Sequence, residues 1–285
     1  MILALLPFAS GLNAGVLERQ FINKPAPATP PGIKILLVHD KPGVILEVKG
    51  KYKLYNPHNN EHISTRFAGK RKYIQAIQDG LKWGEEFPDQ HQLLIVPDNS
   101  EVTTVVDGIE YRGNIYVYDV GGTISVVNEP DIEDYLHSIL TTKKTNAKAP
   151  EVLAASAITA RTNAYYLTAN PKNKFWAVDG RQVNYQGYAV IDRKNPIAPA
   201  IDATRYIILS RSGDSEEDAT PFPAQWNSEA FGDSSTGEEI LSRISLSDAE
   251  TMAQKGQHAA QILAKAFPGT NTVLMHYPSI NANVK

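Results

Sequence analysis

The stretch DIEDYLHSIL, residues 131–140, and the stretch PEVLAASAITARTNAYYLT, residues 150–168, decide the fold of this 285-residue chain. In the first stretch, apolar residues recur at i, i+3, i+4, i+7 and i+8, which predicts one face of an amphipathic helix. Asp131 lies three residues before Asp134, as in a capping box, and acidic side chains in a first turn suit the helix dipole. In the second stretch, alanines recur at steps of three and four, so another backbone can approach closely. The two stretches predict consecutive helices that are largely buried.

In the chain before these helices, the spacing of apolar residues differs from that of a helix and predicts strands. Apolar runs occur at 33–38 and 91–97, and Asp-Gly at 107–108 and Gly-Gly at 121–122 are typical turn sequences. The segment VILEVKGKYKLYN alternates about Gly50, which predicts a hairpin there. Only KYIQAIQDGLKWGEEF, residues 72–87, is assigned to a helix in this part of the chain.

The C-terminal part predicts one further strand and one further helix. YIILS, residues 206–210, is a short apolar run. The stretch SDAETMAQKGQHAAQILAKAFPGT predicts a helix that begins with Ser247 and Glu250 as a capping box, is interrupted at Gly256 and stops before Pro268. Strands followed by helices predict an α+β fold, with a β-rich N-terminal part, a helical subdomain and a groove between them.

Composition limits the classes of function. The net charge of -3 provides no basic field for nucleic acid, and the chain has no cysteine for a disulfide, a thiolate metal site or a nucleophile. Residues 1–14 resemble a signal segment, with Ala14 at a cleavage position, although no basic residue precedes the apolar run. Residues 15–32 read as a proline-rich linker, 33–277 as the folded domain and 278–285 as a tail. We therefore expect export to the periplasm or cell envelope.

Three groups of side chains are candidates for chemistry. His58, Glu61 and His62 match an inverted zinc-protease motif, but the Asn and Pro residues around them favour a polar turn, and we predict no metal. Arg161 lies within a mainly apolar helix, so it is either half of a structural ion pair or a ligand-binding group. The aromatic residues Trp176, Tyr185 and Tyr188 beside amide side chains suit a sugar-binding groove, or are ordinary half-buried aromatics.

A family resemblance adds to these patterns. The chain resembles the stage II sporulation protein D family, also called SpoIID/LytB or amidase enhancer. The matching residues are Tyr111-Arg112-Gly113, Val127-Asn128, Glu133 to Leu136, Glu151, Leu153, Ala160-Arg161-Thr162, Tyr185 and Gly187. The resemblance covers about residues 33–276.

The resemblance implies peptidoglycan glycan strands as the partner. Active family members are lytic transglycosylases, in which one protonated acidic side chain donates to the glycosidic oxygen and then helps an anhydro ring to close, with no cofactor. That single acid contrasts with the two carboxylates of ordinary glycosidases. The resemblance further implies that Arg161, Tyr185, Glu133 and Gly187 line the substrate groove, and it suggests cell-wall amidases or division proteins as further partners.

The departures from the family are as informative as the matches. The family glutamate falls ten residues after Glu133, where this chain has Lys143. The family histidine position holds Ser242, and Leu241, Arg243 and Ser245 replace glycines. These losses predict a murein-binding protein without catalysis in wall remodelling, division or sporulation. Two alternatives stay open: an active enzyme that uses a displaced acid (Glu133, Glu151 or Asp179), and a scaffold or stimulator of a wall amidase.

Overall fold

A computed structural model describes residues 32–142, 147–211, 219–227 and 240–275. The protein is a strand-rich α+β protein, with 17 strands and five helices among these residues. The strands are β1 (Ile35–Lys41), β2 (Gly43–Lys49), β3 (Tyr52–Tyr55), β4 (His62–Arg66), β5 (Lys72–Ile77), β6 (Gly80–Trp83), β7 (Glu85–Pro88), β8 (Gln92–Pro97), β9 (Thr103–Val106), β10 (Ile109–Tyr111), β11 (Asn114–Asp119), β12 (Ile124–Glu129), β13 (Val178–Asp179), β14 (Ile207–Arg211), β15 (Ala224–Gln225), β16 (Ile240–Leu241) and β17 (Thr270–Leu274). The helices are α1 (Ile132–Thr141), α2 (Pro150–Ala169), α3 (Ile197–Ala203), α4 (Leu246–Gln254) and α5 (Ala259–Ala266).

Two large sheets form the β-rich part. The seven-stranded sheet has the order β13-β1-β12-β11-β8-β3-β4, and the six-stranded sheet has the order β10-β9-β2-β5-β6-β7. All pairings in these sheets are antiparallel except that of β1 with β13. The inward side chains of both sheets and the apolar faces of all five helices belong to one continuous buried cluster. Among the described residues, no helix is long and apolar enough to cross a membrane.

The predicted hairpin at Gly50 is wrong. Strand β2 pairs with β5 and β9, whereas β3 pairs with β4 and β8, so the chain passes from one sheet into the other at this glycine. The φ angle of Gly50 is 146°, and an added Cβ would clash with the side chain of Val102. The alternation of apolar and polar residues in a sequence indicates which side chains are buried, but it does not indicate which strand pairs with which.

The predicted helix at residues 72–87 is also wrong, because this segment forms β5, β6 and β7. Gly80 and Gly84 have positive φ angles of 136° and 74°, so a continuous helix cannot pass through them. Ile77 pairs with Gly80 across a turn formed by Gln78 and Asp79. Ile74 pairs with Val44 of β2, and its side chain is fully buried.

The helices follow the sequence closely. The side chain of Asp131 caps α1 by accepting from the backbone N–H of Asp134 at 2.8 Å, and α2 occupies the predicted stretch. The last predicted helix is two helices separated near Gly256, as its interruption indicated. Its capping box is Ser245 with Asp248, not Ser247 with Glu250.

Glu250 instead supplies a cap to another helix. The N-cap residue of α2, Ala149, has no side chain that can accept a hydrogen bond. A carboxylate oxygen of Glu250 accepts from the backbone N–H of Lys148 at 2.6 Å and from that of Ala149 at 2.9 Å. A negative charge at this end also suits the dipole of α2. Glu250 thus ties α4 to the beginning of α2, beside the connector between α1 and α2.

We expect Glu250→Ala to lower the free energy of unfolding by about 1–2 kcal/mol, because two backbone donors lose a charged acceptor. Glu250→Gln keeps one acceptor oxygen and should cost less. Urea unfolding followed by circular dichroism measures both changes. Glu86→Ala, at an exposed i,i+4 ion pair, is the control and should cost no more than about 0.5 kcal/mol. Equal effects at positions 250 and 86 would contradict the capping role.

Candidate functional site

A buried ion pair holds the two central helices together. Glu133 on α1 and Arg161 on α2 are only 4% and 0% exposed. The Nε and Nη2 atoms of Arg161 each lie 2.8 Å from a different carboxylate oxygen of Glu133. Such a two-pronged contact is the strongest geometry available to these groups. The neighbouring Tyr165 has a pKa raised by burial first and then by the Glu133 carboxylate.

The rest of the guanidinium is also satisfied. Nη1 donates to the hydroxyl of Thr204 at 3.2 Å and to the carbonyl of Ile207 at 3.3 Å, and Nη2 donates to the carbonyl of Ile201 at 3.0 Å. All five N–H groups of Arg161 therefore have acceptors. The side chain connects α1, α2, the end of α3 and β14. Of the two alternatives for Arg161, the geometry is that of the structural ion pair, and neither member of the pair reaches the protein surface.

Tyr185 is also an interior residue. Its side chain is 8% exposed, and its hydroxyl donates to Oδ1 of Asn128 at 2.7 Å. The amide of Asn128 in turn donates to the carbonyls of Arg112 and Asn114 at 2.8 and 3.1 Å. Burial raises the pKa of Tyr185 well above its ordinary value. Tyr185, predicted as a groove contact, lies in the interior, where its ring packs against that of Tyr135 on α1.

Gly187 lies where the loop after Tyr185 contacts β10 and α1. Its φ angle is 83°, and a Cβ at this position would overlap the backbone carbonyl of Glu110. Its own carbonyl accepts from the hydroxyl of Ser138 at 2.8 Å. Only glycine allows this close approach of two backbones. Gly187 is therefore required by packing in this arrangement, as Glu133, Arg161 and Tyr185 are.

The comparison with protein families identifies this helical unit. Residues 120–210 match the family model SpoIID, whose description is Stage II sporulation protein. The matched segment contains β12, α1, α2 and α3, with both members of the buried ion pair. This segment of the chain belongs to the SpoIID family. Membership indicates a function related to the cell wall.

Relatives of this SpoIID protein occur in two bacterial genera. An uncharacterized protein of Chlamydia pneumoniae is 34% identical over 63% of this chain and 66% of its own length. One of Chlamydia muridarum is 29% identical over 86% of this chain and 78% of its own length. One of Brachyspira hyodysenteriae is 30% identical over 64% of this chain and 49% of its own length. No solved structure gives a significant match.

The connector between α1 and α2 lies between two helix ends with defined contacts. Lys143, which the family resemblance places at the position of the acid, lies in residues 143–146, outside the described residues. On one side, Thr141 accepts from the backbone N–H of Asp192 at 3.1 Å and from the amide of Asn195 at 2.9 Å. On the other side, Glu250 holds the start of α2. The connector therefore runs between two positioned helix ends.

The proposed displaced acids are already engaged. Both carboxylate oxygens of Glu133 accept from Arg161. Glu151 accepts from the backbone N–H of Ala259 at 2.7 Å. Burial alone would raise the pKa of Asp179, but the hydrogen bonds and the charge of Arg181 hold it below its ordinary value. None of the three has the geometry of a free, protonated acid.

Asp134 differs from these carboxyls. Burial first, and then the nearby carboxylate of Asp131, raise its pKa above the ordinary value, although Arg112, Arg193 and His137 act in the opposite direction. Among the described carboxyl groups, it is the one for which such a rise is resolved. Sequence reasoning had assigned Asp134 only to the first turn of α1. No sequence signal reveals this shift, because it depends on what packs against the turn.

Two residues that the resemblance places at other lost family positions make structural contacts. Ser242, which it places at the histidine position, is buried, and its hydroxyl donates to the carbonyl of Ile244 at 2.8 Å. Ser245 caps α4. His58 lies in the predicted turn and His62 at the start of β4, so the two are not on one helix face. Within the described parts of the chain, no group of three or more metal-ligating side chains occurs.

We expect single substitutions in the Glu133–Arg161 pair to be severe. Glu133→Gln and Arg161→Met should each lower the free energy of unfolding by about 3–5 kcal/mol, because each leaves a buried charge without its partner. The double variant Glu133→Leu/Arg161→Met should lose less than either single variant. Urea unfolding of all three provides the measurement. Additive losses in the double variant would show that the two side chains do not act as a pair.

We expect the free energy of unfolding of the Asp134→Asn variant to increase relative to that of the wild type as the pH rises. The folded protein holds the Asp134 proton more tightly than the unfolded chain does, so stability is lost once the pH exceeds the ordinary aspartate pKa of 3.8. The asparagine variant lacks this loss, and its stability relative to the wild type should increase from pH 4 to pH 7. Urea unfolding at several pH values tests this.

Asp248→Asn is the matched control of opposite sign. The side-chain and backbone hydrogen bonds of Ser245 hold the pKa of Asp248 below its ordinary value. The contribution of the Asp248 carboxylate to the free energy of unfolding is therefore present at neutral pH and is lost as the pH falls through that lowered pKa. As the pH rises, the stability relative to the wild type should increase for Asp134→Asn and decrease for Asp248→Asn. Parallel curves would contradict the assignment for Asp134.

Proposed function

We propose that this protein is exported and binds the glycan strands of peptidoglycan in the bacterial cell envelope without cleaving them. The observation that carries the proposal is the SpoIID match over residues 120–210, which falls on an intact, internally anchored helical unit. The same unit has Lys143 where family enzymes have their acid. A lysine cannot serve as the acid at neutral pH unless its pKa falls by about three units. In this proposal the protein still binds glycan strands but does not cleave their glycosidic bonds.

The engaged carboxyls support the non-catalytic assignment. A lytic transglycosylase needs a carboxyl group that is protonated and within reach of the glycosidic oxygen. Glu133 is paired below the surface, and Glu151 caps a second helix. Asp179 is held ionised by Arg181. Each alternative acid would have to give up an existing contact before it could transfer a proton.

One observation favours a second candidate function, that of an active lytic transglycosylase with a displaced acid. The raised pKa of Asp134 is the property that a general acid requires. Asp134 lies in the first turn of α1, at the opposite end of that helix from the connector. An enzyme using Asp134 would therefore hold its substrate at a different place from other family members.

We expect the purified protein to sediment with peptidoglycan sacculi, and soluble glycan strands stripped of stem peptides to compete. Sedimentation with an insoluble polysaccharide of unrelated linkage, such as cellulose, should not exceed that of a protein control. Protein that stays in the supernatant with sacculi would contradict the proposal.

Mass spectrometry of the same strands separates the candidate functions. Wild-type protein should release no anhydro-muramyl ends. Release that is abolished by Asp134→Asn would establish the second candidate instead. Lys143→Glu shows whether the acid alone is missing, since this variant would then acquire the activity. If binding is absent but an added wall amidase is accelerated, the protein is a stimulator of that enzyme.

A further inference from the structure

The outer face of the seven-stranded sheet carries a second, separate apolar cluster. Alternate residues of β1, β12 and β11 point away from the main core, and the cluster consists of Leu36, Tyr116, Tyr118 and Val127, with Leu94, Phe175 and Trp176 packed against it. The rings of Tyr116 and Tyr118 are stacked 6.1 Å apart, and Phe175 lies 4.8 Å from Tyr118. The segment after α2 thus lays two aromatic side chains over the open face of the sheet.

A tight turn holds these aromatic residues in place. The side-chain oxygen of Asn173 accepts from the backbone N–H groups of Phe175 and Trp176 at 2.8 and 3.1 Å. The ring of His39 packs edge-on against Trp176 at 5.4 Å. His39 is itself 2.9 Å from the hydroxyl of Ser125. Trp176 is therefore a positioned, half-buried ring.

A cavity of about 230 Å³ opens beside Trp176, between the sheet and the end of α2. Its wall includes the side chains of Lys34, Glu129, Asn173 and Lys174. The cavity is smaller than the roughly 300–1,000 Å³ that encloses a drug-sized ligand, so it suits about one ring-sized unit. An aromatic ring beside both hydrogen-bond donors and acceptors matches the mixed apolar and polar surface of a sugar.

The charges in the cavity favour an acidic sugar. The carboxylate of Glu129 accepts from the hydroxyl of Tyr116 at 2.7 Å and from the amide of Asn114 at 3.3 Å, so it is held as an acceptor. The ammonium of Lys34 lies 4.3 Å from the centre of the Tyr116 ring. That of Lys174 lies 4.9 Å from the centre of the Phe175 ring. Two cations against one carboxylate leave a positive charge, which a ligand carboxylate can neutralise.

We propose that this cavity binds one carboxylate-bearing pyranose of a glycan chain, with Trp176 against the sugar face and Lys34 or Lys174 on the carboxylate. The proposal rests on the proposed function, because the muramic acid unit of peptidoglycan is such a sugar. In strands with stem peptides, that carboxylate is consumed by an amide bond. The cavity would therefore distinguish bare from peptide-substituted units.

The probes are a bare peptidoglycan tetrasaccharide and chitotetraose, which share N-acetylated pyranose rings and differ in the lactyl carboxylates. Calorimetry should show binding of the first at least about tenfold tighter than that of the second, which corresponds to 1.4 kcal/mol. Trp176→Ala and Lys34→Met should each weaken binding of the acidic tetrasaccharide at least about tenfold. Lys34→Met keeps a side chain of similar length and removes the charge.

Matched controls lie elsewhere on the chain. Phe67→Ala removes a ring that is 78% exposed, and Lys70→Met removes an exposed lysine. Both should bind like the wild type. Trp176→Phe retains an aromatic face and should recover part of the affinity that alanine loses, and near-ultraviolet circular dichroism checks that each variant is folded.

Equal binding of the two tetrasaccharides, or wild-type affinity in Trp176→Ala and Lys34→Met, would overturn the proposed site. If the wild type and these variants sediment equally with sacculi stripped of their stem peptides, the site is wrong and the proposed function stands. If the wild type does not sediment, the proposed function fails before the site is considered.

Discussion

The contact between Glu133 and Arg161 is the constraint on which the helical unit depends. Two charges removed from water are stable only with close pairing and further hydrogen bonds, because their desolvation is costly. Here the pair is two-pronged, and two backbone carbonyls and a hydroxyl complete the guanidinium. A shift of α1 against α2 by even part of a turn would break several of these bonds at once. The pair therefore specifies one register between the helices, one position for the end of α3 and one for the start of β14.

The helices could be predicted from the sequence because their signals are local. Asp131 caps α1 within its own first turn, and the alanine-rich seam of α2 lies within one stretch. Strand neighbours depend on distant residues, which explains why the hairpin at Gly50 and the helix at residues 72–87 were wrong. The cap of α2 could not be predicted either, because Glu250 lies a hundred residues further along the chain and contacts it only after folding.

The roles of the candidate site residues could likewise be predicted only in part from the sequence. The family resemblance predicts Glu133, Arg161, Tyr185 and Gly187 as groove residues, but their chemical types alone do not separate a ligand contact from an interior support. Burial separates them: all four serve the packing of α1 against its neighbours. The outer-face cavity was missed for a different reason. Val127 and Glu129 alternate with inward residues on β12, and the sequence does not tell which elements cover that face.

The two ends of the connector between α1 and α2 are held by contacts from outside the connector. The end of α1 is held by contacts of Thr141 with the segment at residues 192–195, and the start of α2 is held by Glu250. None of these contacts uses a side chain of residues 143–146. Because these contacts come from outside the connector, the positions of the two helix ends do not depend on them being made by residues 143–146. The buried ion pair and the cap of α2 therefore position the two helices through contacts that lie outside the connector.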